Sequence, residues 1–173
     1  LNQGKNDEAI NKLKEAIKIS DSSPGTHFVL GIAYFKKNMF DNAYIEIQHS
    51  IAMFPDFNNY PSTHNVLGRI FEKQGKIAQA ISEFNTSINM KPTDSTTELK
   101  DDSGHYYLGV LYQNQNNFDE AIKELSLVKN INLDKNKIMQ HLSDSYLGQG
   151  INLYNQGKID EAIKVYKQAN ELT

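Results

Sequence analysis

The chain has 173 residues, 39% of them hydrophobic and 23% charged, and a net charge of −3. Lys and acidic residues are mixed along its length, so there is no basic stripe of the kind that nucleic-acid binding leaves, and nucleic acid is not an expected partner. There is no cysteine, which excludes disulfides, thiolate metal sites and Cys nucleophiles, and no apolar run approaches the roughly 18 residues a membrane helix needs, so no membrane insertion is expected. No signal peptide is legible, which leaves the compartment open with the cytoplasm as the default expectation.

In chain order, Leu1 to Gln3 read as the last turn of a helix whose beginning is absent, and Gly4 reads as the turn into a second helix, filling residues 1–23. Residues 24–57 carry Leu30-Gly31 with Tyr34, a turn at Asn38, and the segment from Phe40 with Ala43. Residues 61–94 repeat this order with Leu67-Gly68, Phe71, Gly75 and Ala80, and residues 102–135 do so with Leu108-Gly109, Tyr112, Asn116 and Ala121. In residues 136–173 the order is Gln149-Gly150, Leu153, Gly157 and Ala162, with 136–142 extending the first helix backwards. Extra residues fall at 58–60 and at 95–101; the longer, polar insertion reads as a surface loop. Neither end carries a polar capping helix, so the chain is expected to be part of a longer one.

The alanines Ala9, Ala43, Ala80, Ala121 and Ala162 are 34, 37, 41 and 41 residues apart. A mid-helix Gly costs about 1 kcal/mol relative to Ala, so Gly31, Gly68 and Gly109 imply a close approach of a neighbouring helix. The small alanines would lie opposite them, with Leu13, Ile47, Phe84, Leu125 and Tyr166 filling the space one turn on. Gly4, Asn38, Gly75, Asn116 and Gly157 are the two residue types that end helices in the left-handed conformation. Asp7, Asp41, Asp119 and Asp160 follow, where they could cap the second helices. With Pro55 and Pro92 in the closing position, the unit closely resembles the tetratricopeptide repeat over nearly the whole chain. The resemblance implies an all-α, right-handed α-solenoid of about 4.5 antiparallel helix hairpins in a single array, residues 1–173.

Few residues suggest chemistry. His27, His64 and His105 share one repeat position, held by Tyr146 in the last unit, and read as packing groups; neighbouring units hold them too far apart to share an ion. His49 and His141 show no partner at helix spacing. The carboxylate pairs Asp119-Glu120 and Asp160-Glu161 begin second helices. Phosphate loops, nucleophile elbows and zinc-ligand spacings are absent, so no catalytic residue, metal or cofactor is expected.

The resemblance places the first helices on a concave face. The groove residues it implies are Phe28, Ile32 and Phe35, then Asn65, Arg69 and Glu72, then Tyr106, Val110 and Gln113, with Leu147, Ile151 and Tyr154 in the last unit. The groove is apolar at both ends, with the single arginine, Arg69, at its centre, where it could bind a carboxylate or carbonyl. Family members that clamp a C-terminal carboxylate use Lys and Asn where this chain has Phe28, Val29, Ile32 and Val66, with Asn65 and Arg69 the only polar exceptions. The sugar-transferase members carry an asparagine ladder where it has Val29, Val66, Tyr107 and Gly148. The expectation is a non-catalytic scaffold or adaptor that takes a protein or peptide partner, as an amphipathic helix or an extended segment. The alternatives are a regulatory or substrate-recruiting arm of a larger enzyme and a self-associating scaffold.

Overall fold

The computed structural model describes residues 3–19, 23–90, 102–129 and 134–172, with side chains from residue 6 onward. The described residues form nine α-helices and one short 3-10 helix, and no strand. They fall into two compact units, residues 1–93 and 94–173. In the first unit, α1 (Gln3–Ile19) packs on α2 (Pro24–Lys36). Helix α2 pairs with α3 (Phe40–Met53), and α3 packs on α4 (Pro61–Lys73), which pairs with α5 (Ile77–Asn89). The extra residues at 58–60 belong to the 3-10 helix Pro55–Asn59 and the residue after it. In the second unit, α6 (Ser103–Asn114) pairs with α7 (Phe118–Ser126), and α8 (Lys135–Asn155) packs on α7 and pairs with α9 (Ile159–Asn170). Pro92 and the expected loop at 95–101 lie outside the described residues. Among the described residues no helix is long and apolar enough to cross a membrane.

Local chemistry sets the boundaries. Ser23 caps α2 by accepting from the Thr26 amide at 3.2 Å, with Pro24 at the first helical position. Asp134 caps α8 through the Asn136 amide at 3.0 Å. Each hairpin turns on a left-handed residue: Asn38 (φ 60°), Gly75 (73°), Asn116 (61°) and Gly157 (77°). Just after it, an amide bonds back to the carbonyl of Tyr34, Phe71, Tyr112 or Leu153, at 2.9–3.0 Å in every case. This is the six-to-one bond that closes a helix C-terminus.

The glycines show why the hairpins are tight. A Cβ on Gly31 would lie 2.8 Å from Ile47 Cδ1, and one on Gly68 would lie 2.5 Å from Phe84 Cε1. One on Gly109 would lie 2.7 Å from Leu125 Cγ, and one on Gly150 2.5 Å from Tyr166 Cε1. The space left by each glycine is filled by the large side chain of the facing helix, not by its alanine. Ala43, Ala80, Ala121 and Ala162 are nonetheless buried. The fourth contact also places α8: Gly150 sits where Gly31, Gly68 and Gly109 sit. Gly148 serves the opposite side, because a Cβ there would run into the Phe118 ring of α7. Helix α8 therefore carries a close approach on each flank.

Three expectations need correction. Gly4 lies inside α1, not in a turn, because α1 runs unbroken from Gln3 to Ile19. Ala9 is exposed, because among the described residues no first helix covers it. Asp41, Asp119 and Asp160 sit in the first turns of their helices, but no side chain caps those helices. Asp41 accepts from Gln74 Nε2 at 2.6 Å, Asp119 accepts from Gln149, and Asp7 pairs with Lys37. Asp41 and Asp119 thus bind one hairpin to the next while keeping a favourable position at the positive helix end.

Candidate partner-binding faces and a histidine–glutamate clasp

The shared histidine position proves to be half of a pair. His27 Nδ1 lies 2.6 Å from Glu46 Oε2, His64 Nδ1 2.7 Å from Glu83 Oε2, and His105 Nδ1 2.7 Å from Glu124 Oε2. In every case the partner is 19 residues on, on the second helix of the same hairpin. In the last hairpin that spacing joins Tyr146 to Val165, so histidine and glutamate are replaced together. His64 makes a second contact, from Nε2 to the Asn58 carbonyl at 2.9 Å. Both its ring nitrogens face acceptors, which favours the imidazolium. The Glu83 bond raises the His64 pKa above 6.5 against the opposing effect of burial, and the Asn58 carbonyl adds to the rise.

His49 and His141 also have partners on facing helices. The His49 ring meets the His27 ring edge-on, with centroids 5.5 Å apart. His141 Nδ1 lies 2.7 Å from Gln113 Oε1, while Gln113 Nε2 donates to the His141 carbonyl at 3.2 Å. The second bond fixes the amide so that its oxygen faces the ring, and the neutral imidazole donates to it. Burial pulls the His141 pKa below 6.5, opposed by the Asp144 carboxylate.

The expected groove residues divide by environment. On α2, Phe28, Ile32 and Phe35 are half-buried. Phe28 stacks on Phe57 of the 3-10 helix (5.6 Å, 8°), and Phe35 supports the Arg69 guanidinium 4.6 Å above its ring. Arg69 is thus brought onto the apolar α2 face as a cation on an aromatic ring. Glu72 lies beside Lys73 at 3.2 Å. Asn65 does not offer a contact surface: it is only 4% exposed, because α4 is packed by α3, the 3-10 helix and α5, and its Oδ1 is buried without a hydrogen bond. In the second unit Tyr106 rests against Tyr107 and His141, and Val110 is half-buried. Gln113 is committed to the α6–α8 link, so it holds the unit together before it could hold a partner.

The clearest open surface lies on α8. Leu147, Ile151 and Tyr154, at helical spacings of four and three, are 43%, 53% and 60% exposed. Such a stripe is wide enough for the apolar side of another helix. On α9, Ile159 and Ile163 are also exposed. At the corresponding places in the internal hairpins, Phe118 covers Gly148 and Tyr44 rests on Phe71, with centroids 5.5 Å apart.

Models of the tetratricopeptide repeat match residues 1–38, 61–94, 104–130 and 144–171, well over half of the chain. Curated proteins yield no match by sequence search. Among solved structures, a crystal structure of MamA superposes with a TM-score of 0.65 at 20% identity, covering 98% of this chain and 90% of that one. The C-terminal part of a TPR repeat-containing protein from Cytophaga hutchinsonii gives 0.68 at 18% identity, covering 98% and 60%. The APC/C hetero-tetramer Cut9-Hcn1 gives 0.69 at 20%, covering 96% and 33%. These likenesses show the fold, an all-α helical-repeat solenoid. With the repeated turns, the facing glycines and the matched segments, the chain belongs to the tetratricopeptide repeat family.

Proposed function

We propose that the chain is a non-catalytic adaptor that receives an amphipathic helix of a protein partner on the exposed faces of its first helices. Family membership supports a protein–protein interaction scaffold. The observation that carries the finer reading is the open stripe of Leu147, Ile151 and Tyr154 on α8. Large apolar groups at that spacing match the i, i+4, i+7 anchors of a helix laid in a groove. In the first unit, Phe28, Ile32 and Phe35 offer a second apolar face, with Arg69 able to meet an acidic group beside the anchors. Selection from a displayed peptide library tests this. Enriched peptides should carry apolar residues at helical spacing, and Ile151→Asp should weaken their binding at least about tenfold with helicity unchanged. Peptides that bind wild type and Ile151→Asp equally would overturn the assignment.

A second reading rests on a different observation. Ile159 and Ile163 of α9 occupy positions that meet a following helix in the internal hairpins, yet here they are exposed. Self-association through α9 would cover them. Light scattering across a concentration series should then show a mass above the monomer that Ile163→Lys abolishes; a strict monomer at high concentration would exclude it.

A further inference from the structure

The first complete hairpin carries a cluster that the other clasped hairpins lack. Glu46 and His49 are one turn apart on α3, at i and i+3, and both meet His27 of α2. One ring nitrogen from each histidine and one Glu46 carboxylate oxygen all lie within 4.8 Å of one another, and among the described residues this is the one such group of three or more His, Cys, Asp or Glu. The corresponding positions elsewhere keep the clasp but not the third donor: Thr86 follows Glu83 by three residues, and Leu127 follows Glu124.

We propose that His27, Glu46 and His49 form a binding site for a divalent transition-metal ion, zinc foremost. Zinc takes imidazole nitrogen and carboxylate oxygen at about 2.0–2.2 Å, which sets neighbouring ligand atoms about 3.3–3.6 Å apart in a tetrahedron. The three donors lie within 4.8 Å of one another, so side-chain rotations of about 1 Å bring them to that spacing. The Glu46 oxygen, 2.6 Å from His27 Nδ1, has only to swing away by about 1 Å. Two imidazoles and one carboxylate favour zinc, cobalt, nickel or copper over magnesium and calcium, which prefer all-oxygen sets. The donors also grade outward, from buried His27 through half-buried Glu46 to exposed His49, which leaves a path of entry and a coordination position for water.

The hairpins supply their own control. His49→Thr copies the α4/α5 arrangement, and because His49 is exposed the substitution leaves the fold intact. Isothermal titration of the chain, free of any histidine tag, with zinc chloride should show saturable binding of one ion per chain. His49→Thr should weaken it at least about tenfold with unchanged circular dichroism. Cobalt should give visible d–d absorption in the wild type that the variant loses. The absence of saturable one-to-one binding, or equal binding by His49→Thr, would overturn the proposal.

Discussion

The hairpins α2/α3 and α8/α9 solve the same packing problem with different residues. Both place a glycine against a large side chain 16 residues on, Gly31 against Ile47 and Gly150 against Tyr166. Both close the turn with a left-handed residue and the same back-bond, to Tyr34 in one and Leu153 in the other. They part at the clasp, where His27 and Glu46 give way to Tyr146 and Val165. They part again on the outer face of the first helix. Phe28 and Phe35 are half-covered by Phe57 and Arg69, whereas Leu147, Ile151 and Tyr154 stand open. The difference separates positions that define the hairpin from positions that can be exchanged, provided both partners change at once. A half-exchanged clasp would leave a buried polar group unpaired.

The largest expected effect attacks what the hairpins share. Gly68→Ala should destabilise by about 1–3 kcal/mol, because its Cβ needs space the Phe84 ring already fills, and Gly150→Ala should cost a similar amount against Tyr166. Urea unfolding measures both, and a neutral result for one alone would show that the two hairpins are not equivalent. Next comes the clasp. Glu83→Val alone strands the His64 imidazole and should cost about 1–3 kcal/mol. The double change His64→Tyr with Glu83→Val, which copies the last hairpin, should recover much of that loss in a double-mutant cycle.

Acidification should act oppositely on the two units. His64 has a raised folded-state pKa, so its contribution is complete below 6.5 and is lost as pH rises through the folded value. His141 has a lowered one, so its contribution is complete above 6.5 and is lost as pH falls through the folded value. Amide-exchange protection of α4 and α5 should therefore increase from alkaline pH down to 6.5, and that of α8 should decrease below it. A smaller effect is expected at Arg69: Arg69→Ala should cost about 0.5–1 kcal/mol through loss of its contact with Phe35. Asn38→Gly should be smaller still, a gain of less than about 1 kcal/mol, since glycine holds a φ of 60° without strain. Thermal melts resolve both.

The hairpins were legible because their glycines, alanines and turn residues recur as identities in one register. Backbone shape demands those identities wherever two helices approach closely. The clasp was legible in principle, since His and Glu recur 19 residues apart three times. The pair nevertheless spans a turn and follows neither helix period, so no single-helix pattern marks it. The groove was less legible. Asn65 and Phe28 occupy the same repeat position, yet one is buried and the other stacks on Phe57, because exposure depends on which neighbours pack around each first helix. Gln113 occupies a groove position of the repeat, but its amide matches a backbone carbonyl and an imidazole on α8 that only the fold brings near. Nor could spacing along one helix reveal the His27–His49 contact.

The most direct measurement of the binding role is an amide-exchange footprint of a selected amphipathic peptide on the intact chain. Protection should centre on α8 around Leu147, Ile151 and Tyr154 and should disappear with Ile151→Asp. A footprint confined to α9, or one unchanged in that variant, would contradict a partner held on the first-helix faces.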